Sequence, residues 1–270
     1  MKQRWWLSAL FLGVVIGGVL FWWTRTGAGL PFFPRDRTWQ AMQSRGTWRV
    51  GLDPSFPPFE MLDANGQIVG FDVALAQDLA ALWGLEVELV PIGFDSLLDA
   101  VRTGQVDSVV SAYPYDPRLT RDVRFSAPYF EAGIRLAIRN DSSLQNVEEL
   151  TEHTVAVEWG SMGDMVGRRL QRTQPLLELA QFPTPDEAVQ GLLADPTIDA
   201  LLVDNVTLRQ AQATGAQLHA IGPALESNPY VIMMGRTASE LHQQVEQGLA
   251  TLQAQDTLEV LADEWFTWSP

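Results

Sequence analysis

Short apolar segments alternate with amphipathic segments along most of the chain after residue 47. The segments "TWRVGLD", "LEVELVP" and "VDSVVS" have the alternating or continuous apolar pattern of β-strands. Between them, Leu75, Leu79, Leu82 and Trp83 recur at helical spacing, and "FDSLLDAVRTG" predicts a further helix that ends at Gly104. This alternation predicts a mostly parallel sheet with helices on both faces.

A tight hairpin is predicted within the segment "FEMLDANGQIVGF", which follows the first strand. Asn65 and Gly66 are residue types that adopt the positive φ angles of a two-residue turn. Asp72 comes soon afterwards, directly before an apolar periodic segment, so we expect its side chain to cap the next helix.

A second α/β unit is predicted from about residue 140 to residue 225. Its strands are "HTVAVEWG", "LLELAQF" and "IDALLVD", and its helices are "GDMVGRRLQR", "PDEAVQGLLAD" and "NVTLRQAQAT". A strand, "PYVIMMG", and two helices then close the chain. Two α/β units predict a cleft between them, and ligands bind such sheets beyond the carboxyl ends of the strands. The candidate loops are "DPSFPPF", "SAYPYDPR", "EWGSMGD" and "VDNV".

The N-terminal residues 1–25 carry the pattern of a membrane segment. The run "WWLSALFLGVVIGGVLFWW", residues 5–23, has no charged residue and would be about 28 Å long as a helix. Lys2 and Arg4 precede it, which predicts an N-terminus inside and an exported remainder, on the periplasmic or extracellular face. The long apolar run without an A-x-A site favours an uncleaved anchor in the cytoplasmic membrane, with a cleaved signal peptide as the alternative. Residues 26–47, rich in Gly and Pro, are predicted to form a linker.

Composition excludes several kinds of protein. The formal net charge of -15 argues against a nucleic acid partner and suits a monomer in an aqueous compartment. The absence of cysteine excludes disulfides and thiolate metal sites. His153, His219 and His242 lie far apart in the sequence, and there is no glycine-rich nucleotide motif. We therefore expect neither a metal nor a cofactor.

Four segments together resemble a known family. They are "LDPSFPPFEMLDANGQIVGFDVALAQDLAALWG", "GFDSLLDAVRTGQVDSVVSAYPYDPR", "RFSAPYF" and "IDALLVDN". Over about residues 48 to 267 the chain resembles the extracellular solute-binding proteins of family 3, the polar amino-acid receptors of ABC importers. The resemblance implies an α/β Venus flytrap with two lobes and two crossovers, near "FEAGIRLAIRN" and "ALESNPYVIMM". Residues 48–133 and 229–270 would form lobe 1, and residues 134–228 would form lobe 2.

The same resemblance implies a carboxylate clamp at Arg118. In the family an arginine at a helix start grips the ligand α-carboxylate, and Asp116 and Pro117 fit the cap and the first position of such a helix. The family usually has one residue between proline and arginine, whereas Arg118 follows Pro117 directly. Arg118 could instead be a surface charge, as we expect of Arg121 and Arg124.

Four further positions match family residues that contact the ligand. Asp204 matches the aspartate that holds the α-ammonium group, and it could also cap the helix that follows. Asp53 matches a position near the ligand side chain, with a turn residue as the alternative. Phe56 and Phe94 match stacking aromatic residues, with core positions as the alternative.

Hydroxyl groups and a helix start complete the implied site. Ser111 and Ser161 could donate hydrogen bonds, and the loop that contains Met162 enters a helix whose N–H groups could meet an anion. Ala112 and Pro114 stand where the family often has hydroxyl side chains, so the ligand grip is expected to differ from that of a standard α-amino-acid receptor.

Glu158 is expected to determine specificity. It ends a predicted strand where family members touch the ligand side chain, although a solvent-facing glutamate is the alternative. Together with Asp53, its carboxylate would favour a basic amino acid or a related amine.

The resemblance implies binding without chemistry and delivery of the ligand to an ABC transporter permease. Two alternatives stay open on the same fold. One is a cyclohexadienyl or arogenate dehydratase, for which Glu158 is the candidate general acid. The other is a sensor that reports ligand binding to a membrane partner.

Overall fold

The computed structural model describes residues 37–268, which contain eight α-helices and fourteen β-strands. The helices are α1 (Thr38–Arg45), α2 (Phe71–Trp83), α3 (Phe94–Thr103), α4 (Met162–Leu170), α5 (Pro185–Ala194), α6 (Asn205–Ala213), α7 (Ser239–Ala254) and α8 (Thr257–Thr267). The strands are β1 (Thr47–Leu52), β2 (Met61–Leu62), β3 (Ile68–Val69), β4 (Glu86–Pro91), β5 (Ser108–Val109), β6 (Val123–Phe125), β7 (Phe130–Glu131), β8 (Ile134–Arg139), β9 (Thr154–Glu158), β10 (Glu178–Phe182), β11 (Ala200–Asp204), β12 (Leu218–Glu226), β13 (Pro229–Tyr230) and β14 (Met233–Gly235). Short 3-10 helices span Pro117–Leu119 and Val147–Leu150.

Two five-stranded mixed sheets form the centres of two lobes. The first has the order β4-β1-β5-β14-β6, and the second has the order β10-β9-β11-β8-β12. Each contains two parallel and two antiparallel pairings, so the prediction of mostly parallel sheets was only half right. The antiparallel pairings arise because β8 and β14 enter their sheets from the crossing segments and not through a strand–helix–strand unit.

The two crossing segments pair with each other. Strand β7 runs antiparallel to β13, with Glu131 opposite Pro229 and Phe130 opposite Tyr230. The Glu131 carboxylate accepts hydrogen bonds from the backbone N–H groups of Gly133 (2.8 Å) and Asn228 (2.7 Å), which belong to opposite crossings. This pairing confirms a bilobed α/β fold in which the chain passes twice between the sheets.

An aromatic cluster holds the first lobe against the crossing segments. Phe59 is fully buried, and its ring centroid lies 5.0–5.8 Å from five other rings. Those rings belong to Phe56, Phe71, Phe130, Tyr230 and Phe266. One side chain thus joins the start of α2, both crossing strands and the C-terminal helix α8.

The predicted hairpin is present, but the predicted helix cap is not. Gly66 has φ of +75° in the turn between β2 and β3. Helix α2 begins after Gly70 without a side-chain cap, and Asp72 lies fully buried in its first turn. At Gly70, with φ of +142°, a Cβ atom would lie 2.1 Å from the Phe59 carbonyl oxygen, so the close approach requires glycine.

The predicted membrane segment, residues 5–23, lies outside the described residues. Between residues 37 and 268 no helix is long and apolar enough to cross a membrane.

Candidate functional site

A cavity of about 330 Å³ opens at the carboxyl ends of β1 and β5 in the first lobe. Five predicted site residues line it, which are Asp53, Phe56, Phe94, Ser111 and Ala112. The other lining residues are Ser55, Glu60, Pro114, Asn228 and Tyr230, and sequence reasoning did not select them as ligand contacts. Asn228 and Tyr230 come from the second crossing segment, so they reach this cavity only through the tertiary fold.

Hydrogen bonds fix the polar groups of this first cavity. Asp53 follows β1 directly, and its backbone N–H donates to the Ser111 hydroxyl at 3.0 Å. Asp53 Oδ2 accepts from the backbone N–H of Phe94 at 2.8 Å, at the start of α3. Ala112 has φ of +39°, a left-handed conformation that is uncommon for residues other than glycine. The loop after β5 is therefore held in an unusual conformation beside the cavity.

Glu60 is the buried carboxyl group of the first cavity. Its side chain is 1% exposed, and its Oε1 accepts a hydrogen bond from the Ser111 hydroxyl at 2.8 Å. Burial, and then the negative charge of Asp72, strongly raise the pKa of Glu60. Its position within the predicted hairpin gave no sign of burial, since an acidic residue beside a turn is usually exposed.

Two aromatic side chains present ring surface to the first cavity. Phe56 is 42% exposed and stacks on Phe59 at 5.7 Å, and Phe94 is 43% exposed and stacks on Tyr113 at 5.2 Å. Neither is a core residue, which was the alternative considered from the sequence.

A separate cavity of about 230 Å³ lies in the second lobe. It contains the other predicted residues of that lobe, namely Glu158, Ser161, Met162 and Asp204. Glu158 ends β9 and is half-buried, whereas Met162 is 46% exposed at the start of α4. The two cavities have no lining residue in common.

Asp204 combines the two roles considered for it, because it lines the second cavity and caps a helix. Its Oδ1 accepts from the backbone N–H of Thr207 at 2.9 Å, and its Oδ2 accepts from the Thr207 hydroxyl at 2.8 Å. Capping orients the carboxylate at the start of α6.

The loop at the N-terminus of α4 already has a hydrogen-bonded carboxylate from the chain itself, that of Asp164. The Ser161 hydroxyl accepts from the backbone N–H of Asp164 at 3.2 Å, and Asp164 Oδ2 accepts from the backbone N–H of Gly160 at 3.1 Å. Burial opposes ionisation of Asp164, but hydrogen bonds from Gly160, Arg168 and Gln181 outweigh it and lower its pKa. The expectation that this loop would receive an external anion is therefore weakened.

Arg118 lines neither of these cavities. Its side chain is 87% exposed, and its guanidinium binds the Asp116 carboxylate, with Nη2 2.6 Å from Oδ2 and Nε 2.9 Å from Oδ1. Asp116 and Pro117 do occupy the predicted cap and first helical position, but the helix is a three-residue 3-10 turn. A role as clamp would require the guanidinium to leave Asp116, and it stays a prediction.

Tyr230, in the first cavity, lies within electrostatic reach of a carboxylate in the second cavity. This residue lines the first cavity, and burial raises its pKa, followed by the negative charges of Asp204, Asp72 and Glu60. Asp204 belongs to the second cavity, so its charge acts across to the first.

The ionisable side chains that line the two cavities are acidic, and Glu60 is the one whose carboxyl group burial favours in its neutral form. Two carboxyl groups, Asp53 and Glu60, line the first cavity, and two more, Glu158 and Asp204, line the second. No Lys, Arg or His is among the residues that line these two cavities. Such a pair of surfaces favours a positively charged ligand with an apolar portion that stacks on aromatic rings.

This combination of two lobes, two crossings and a cavity in each lobe defines a periplasmic-binding-protein fold. Residues 48–267 match the model of the bacterial extracellular solute-binding proteins, family 3, and the chain belongs to that family, as predicted.

The chain is similar to several individual members of the family. It is 28% identical over 226 residues to the arginine-binding extracellular protein ArtP of Bacillus subtilis, covering 81% of this chain and 85% of that protein. It is 25% identical over 243 residues to the L-cystine-binding protein TcyJ of Escherichia coli, covering 89% and 90%. A solved ancestral cationic amino acid solute-binding protein has 29% identity and a TM-score of 0.64, covering 85% of this chain and 99% of that one.

Proposed function

We propose that this protein captures a cationic amino acid or a related amine between its lobes and delivers it to the permease of an ABC importer. The observation that carries the proposal is the set of four carboxyl groups, without a basic side chain, that line the two cavities. The ligand first docks in the first cavity, where its apolar portion stacks on Phe56 and Phe94. Glu158, Ser161 and Asp204 then close over it, and the permease recognises the closed state.

Relatives support this choice of ligand class. ArtP is an arginine-binding protein by name, and the ancestral structure is that of a cationic amino acid receptor. TcyJ is named for cystine, so the family members that this chain resembles differ in their ligands. The acidic lining of the two cavities supports a cationic ligand among those possibilities.

Calorimetric titration tests the ligand class. The protein is unfolded, dialysed and refolded to remove any co-purified solute, and it is then titrated with arginine, lysine, ornithine, glutamine, cystine and glutamate. We expect the basic amino acids to bind best and glutamate not to bind, because its second carboxylate would meet the Asp53 carboxylate in a cavity without a basic side chain. Preference for glutamate, or no heat with any member of the panel, would contradict the proposal.

The carboxylate clamp at Arg118 is tested with a matched pair of ligands. Arginine and agmatine differ only in the α-carboxylate. If Arg118 leaves Asp116 to hold that group, Arg118→Ala should weaken arginine binding at least tenfold and leave agmatine binding unchanged. Arg121→Ala, also at an exposed arginine, is the control and should change neither affinity. An equal effect of Arg118→Ala on both ligands would show that Arg118 does not bind the α-carboxylate.

We further propose that binding proceeds without chemistry. Glu158 is the candidate acid for a dehydratase, but substrates such as prephenate carry two carboxylates and would meet an acidic lining. An assay of prephenate dehydration should show no turnover above the buffer control. Measurable turnover would contradict this proposal and favour the dehydratase alternative.

Export is the remaining part of the proposal. The curated relatives are named as extracellular or periplasmic proteins, and residues 5–23 of this chain supply an apolar segment for export or anchoring. We propose that this segment stays as an anchor in the cytoplasmic membrane. Mass spectrometry of the mature chain tests this. A chain that lacks residues 1–25 would contradict the anchor and would show that the segment is a cleaved signal peptide.

A further inference from the structure

Two buried carboxyl groups lie side by side beneath the first cavity. Glu60 is 1% exposed and immediately precedes β2, and Asp72 is fully buried in the first turn of α2. Glu60 lines the cavity, whereas Asp72 is not among the lining residues. The pair therefore has one member that a ligand can reach and one that lies behind it.

The hydrogen bonds around the pair indicate which carboxyl group is better stabilised as an anion. Asp72 Oδ2 accepts from the Tyr129 hydroxyl at 3.0 Å and from the backbone N–H of Ala112. Glu60 Oε1 accepts from the Ser111 hydroxyl, whereas Glu60 Oε2 and Asp72 Oδ1 have no hydrogen-bond partner among the described residues. Two buried carboxyl groups that each have an oxygen without a donor fit a shared proton, and burial raises the pKa of both groups.

The surroundings of the pair favour the proton on Glu60 and the negative charge on Asp72. Asp72 accepts two hydrogen bonds from protein donors, Ala112 N–H and the Tyr129 hydroxyl, and these favour its anionic form. The other charge that acts on Glu60 is that of Asp53, which is also negative. Tyr129 and Tyr230 face the same two carboxyl groups, and burial followed by these charges raises the pKa of both, so they are neutral. Glu60 therefore favours its protonated form, because it is buried and the charges that act on it among the described residues are negative.

We propose that Glu60 exchanges its proton for the cationic end of the ligand, so that capture of a basic amino acid releases a proton to solvent. This inference rests on the proposed function and adds to it a mechanism of selectivity. The O–H bond of Glu60 breaks, the proton passes to the buffer, and the carboxylate pairs with the guanidinium or ammonium group of the ligand. A neutral side chain supplies no charge to replace the proton, so it leaves Glu60 protonated.

The exchange predicts the direction of the pH dependence. Because bound ligand and bound proton compete at Glu60, the affinity for a cationic ligand should rise with pH, by up to roughly tenfold per pH unit for one proton released. Between pH 6 and pH 8 arginine keeps its charges, so the change in affinity reports on the protein. The affinity for glutamine should stay level over the same interval.

The experiment is titration of the intact protein with L-arginine at pH 7 in phosphate and in Tris, which differ widely in ionisation enthalpy. We expect the observed heat to differ between the buffers by an amount equivalent to about one proton released per ligand bound. L-Glutamine is the ligand control. The Glu60→Gln variant keeps a hydrogen-bond donor toward Asp72, and it should abolish the buffer dependence. Glu86→Gln, at an exposed glutamate on β4, should leave it unchanged.

The outcomes separate this inference from the proposed function. Binding of arginine with equal heats in both buffers and a level pH profile would overturn the proton exchange and leave the receptor intact. Absence of binding to every amino acid would overturn the proposed function itself. If Glu60→Gln does not fold, the two-buffer titration and the pH profile of the unaltered protein still decide the matter.

Discussion

Replacing Phe59 with alanine is expected to lower the free energy of unfolding by about 3–5 kcal/mol. Phe59 is fully buried, and its ring touches five aromatic rings from separate segments of the chain. Truncation removes buried apolar surface and leaves a cavity that the surrounding rings fill only in part. Urea denaturation, followed by tryptophan fluorescence and by circular dichroism, measures the change.

Leu82→Ala is the matched control for this prediction. Leu82 belongs to α2, which the cluster holds in place, but its side chain is 49% exposed. Its replacement should change the free energy of unfolding by about 0.5 kcal/mol or less. Equal losses for the two variants would show that the aromatic cluster does not hold the first lobe together.

Replacing Asp204 with asparagine is expected to weaken binding of a basic amino acid about 100-fold, equivalent to about 3 kcal/mol. The side chain lines the second cavity, where we propose that its charge pairs with the ligand α-ammonium group. Asparagine is nearly isosteric but neutral, so the ammonium group would be buried without a counter-charge. Calorimetric titration with arginine measures the loss.

The two roles of Asp204 can be separated by a second substitution. Asparagine still accepts the hydrogen bond from the Thr207 backbone N–H, so Asp204→Asn should keep most of the stability of the protein. Asp204→Ala loses the cap as well and should lower the free energy of unfolding by about 1 kcal/mol more. If Asp204→Asn leaves the affinity unchanged and only Asp204→Ala lowers the stability, Asp204 caps the helix but does not bind the ligand.

Local patterns predicted the elements that local interactions stabilise. Helix α3 ends at Thr103 before Gly104, as predicted, because a left-handed glycine ends a helix by its own backbone preference. The turn at Gly66 follows from the same preference. Strand β11 and the Asp204 cap were also visible, since an apolar run and a capping residue are adjacent in sequence.

Elements that depend on distant partners were missed. Strand β12 contains Gly222 and Pro223, which disfavour a strand, and it forms at the edge of its sheet by pairing with β8. Helix α1 was assigned to a linker, although Met42 is fully buried in the core of the first lobe. Strand β14 lies within the predicted strand "PYVIMMG", but its antiparallel position between β5 and β6 was not predicted, because it depends on the return of the chain from the second lobe to the first.

For the site, the sequence alone determined which loops carry ligand-binding residue types, and the structure places nine of the ten predicted residues in two cavities, with Arg118 outside both. Tertiary structure alone decided that Glu60 lies buried against Asp72 and that Tyr230 returns to the same cavity from the second crossing. The physical reason is that residue type and local spacing determine which groups a loop offers. The burial, protonation and pairing of those groups depend on neighbours that only the folded chain brings together.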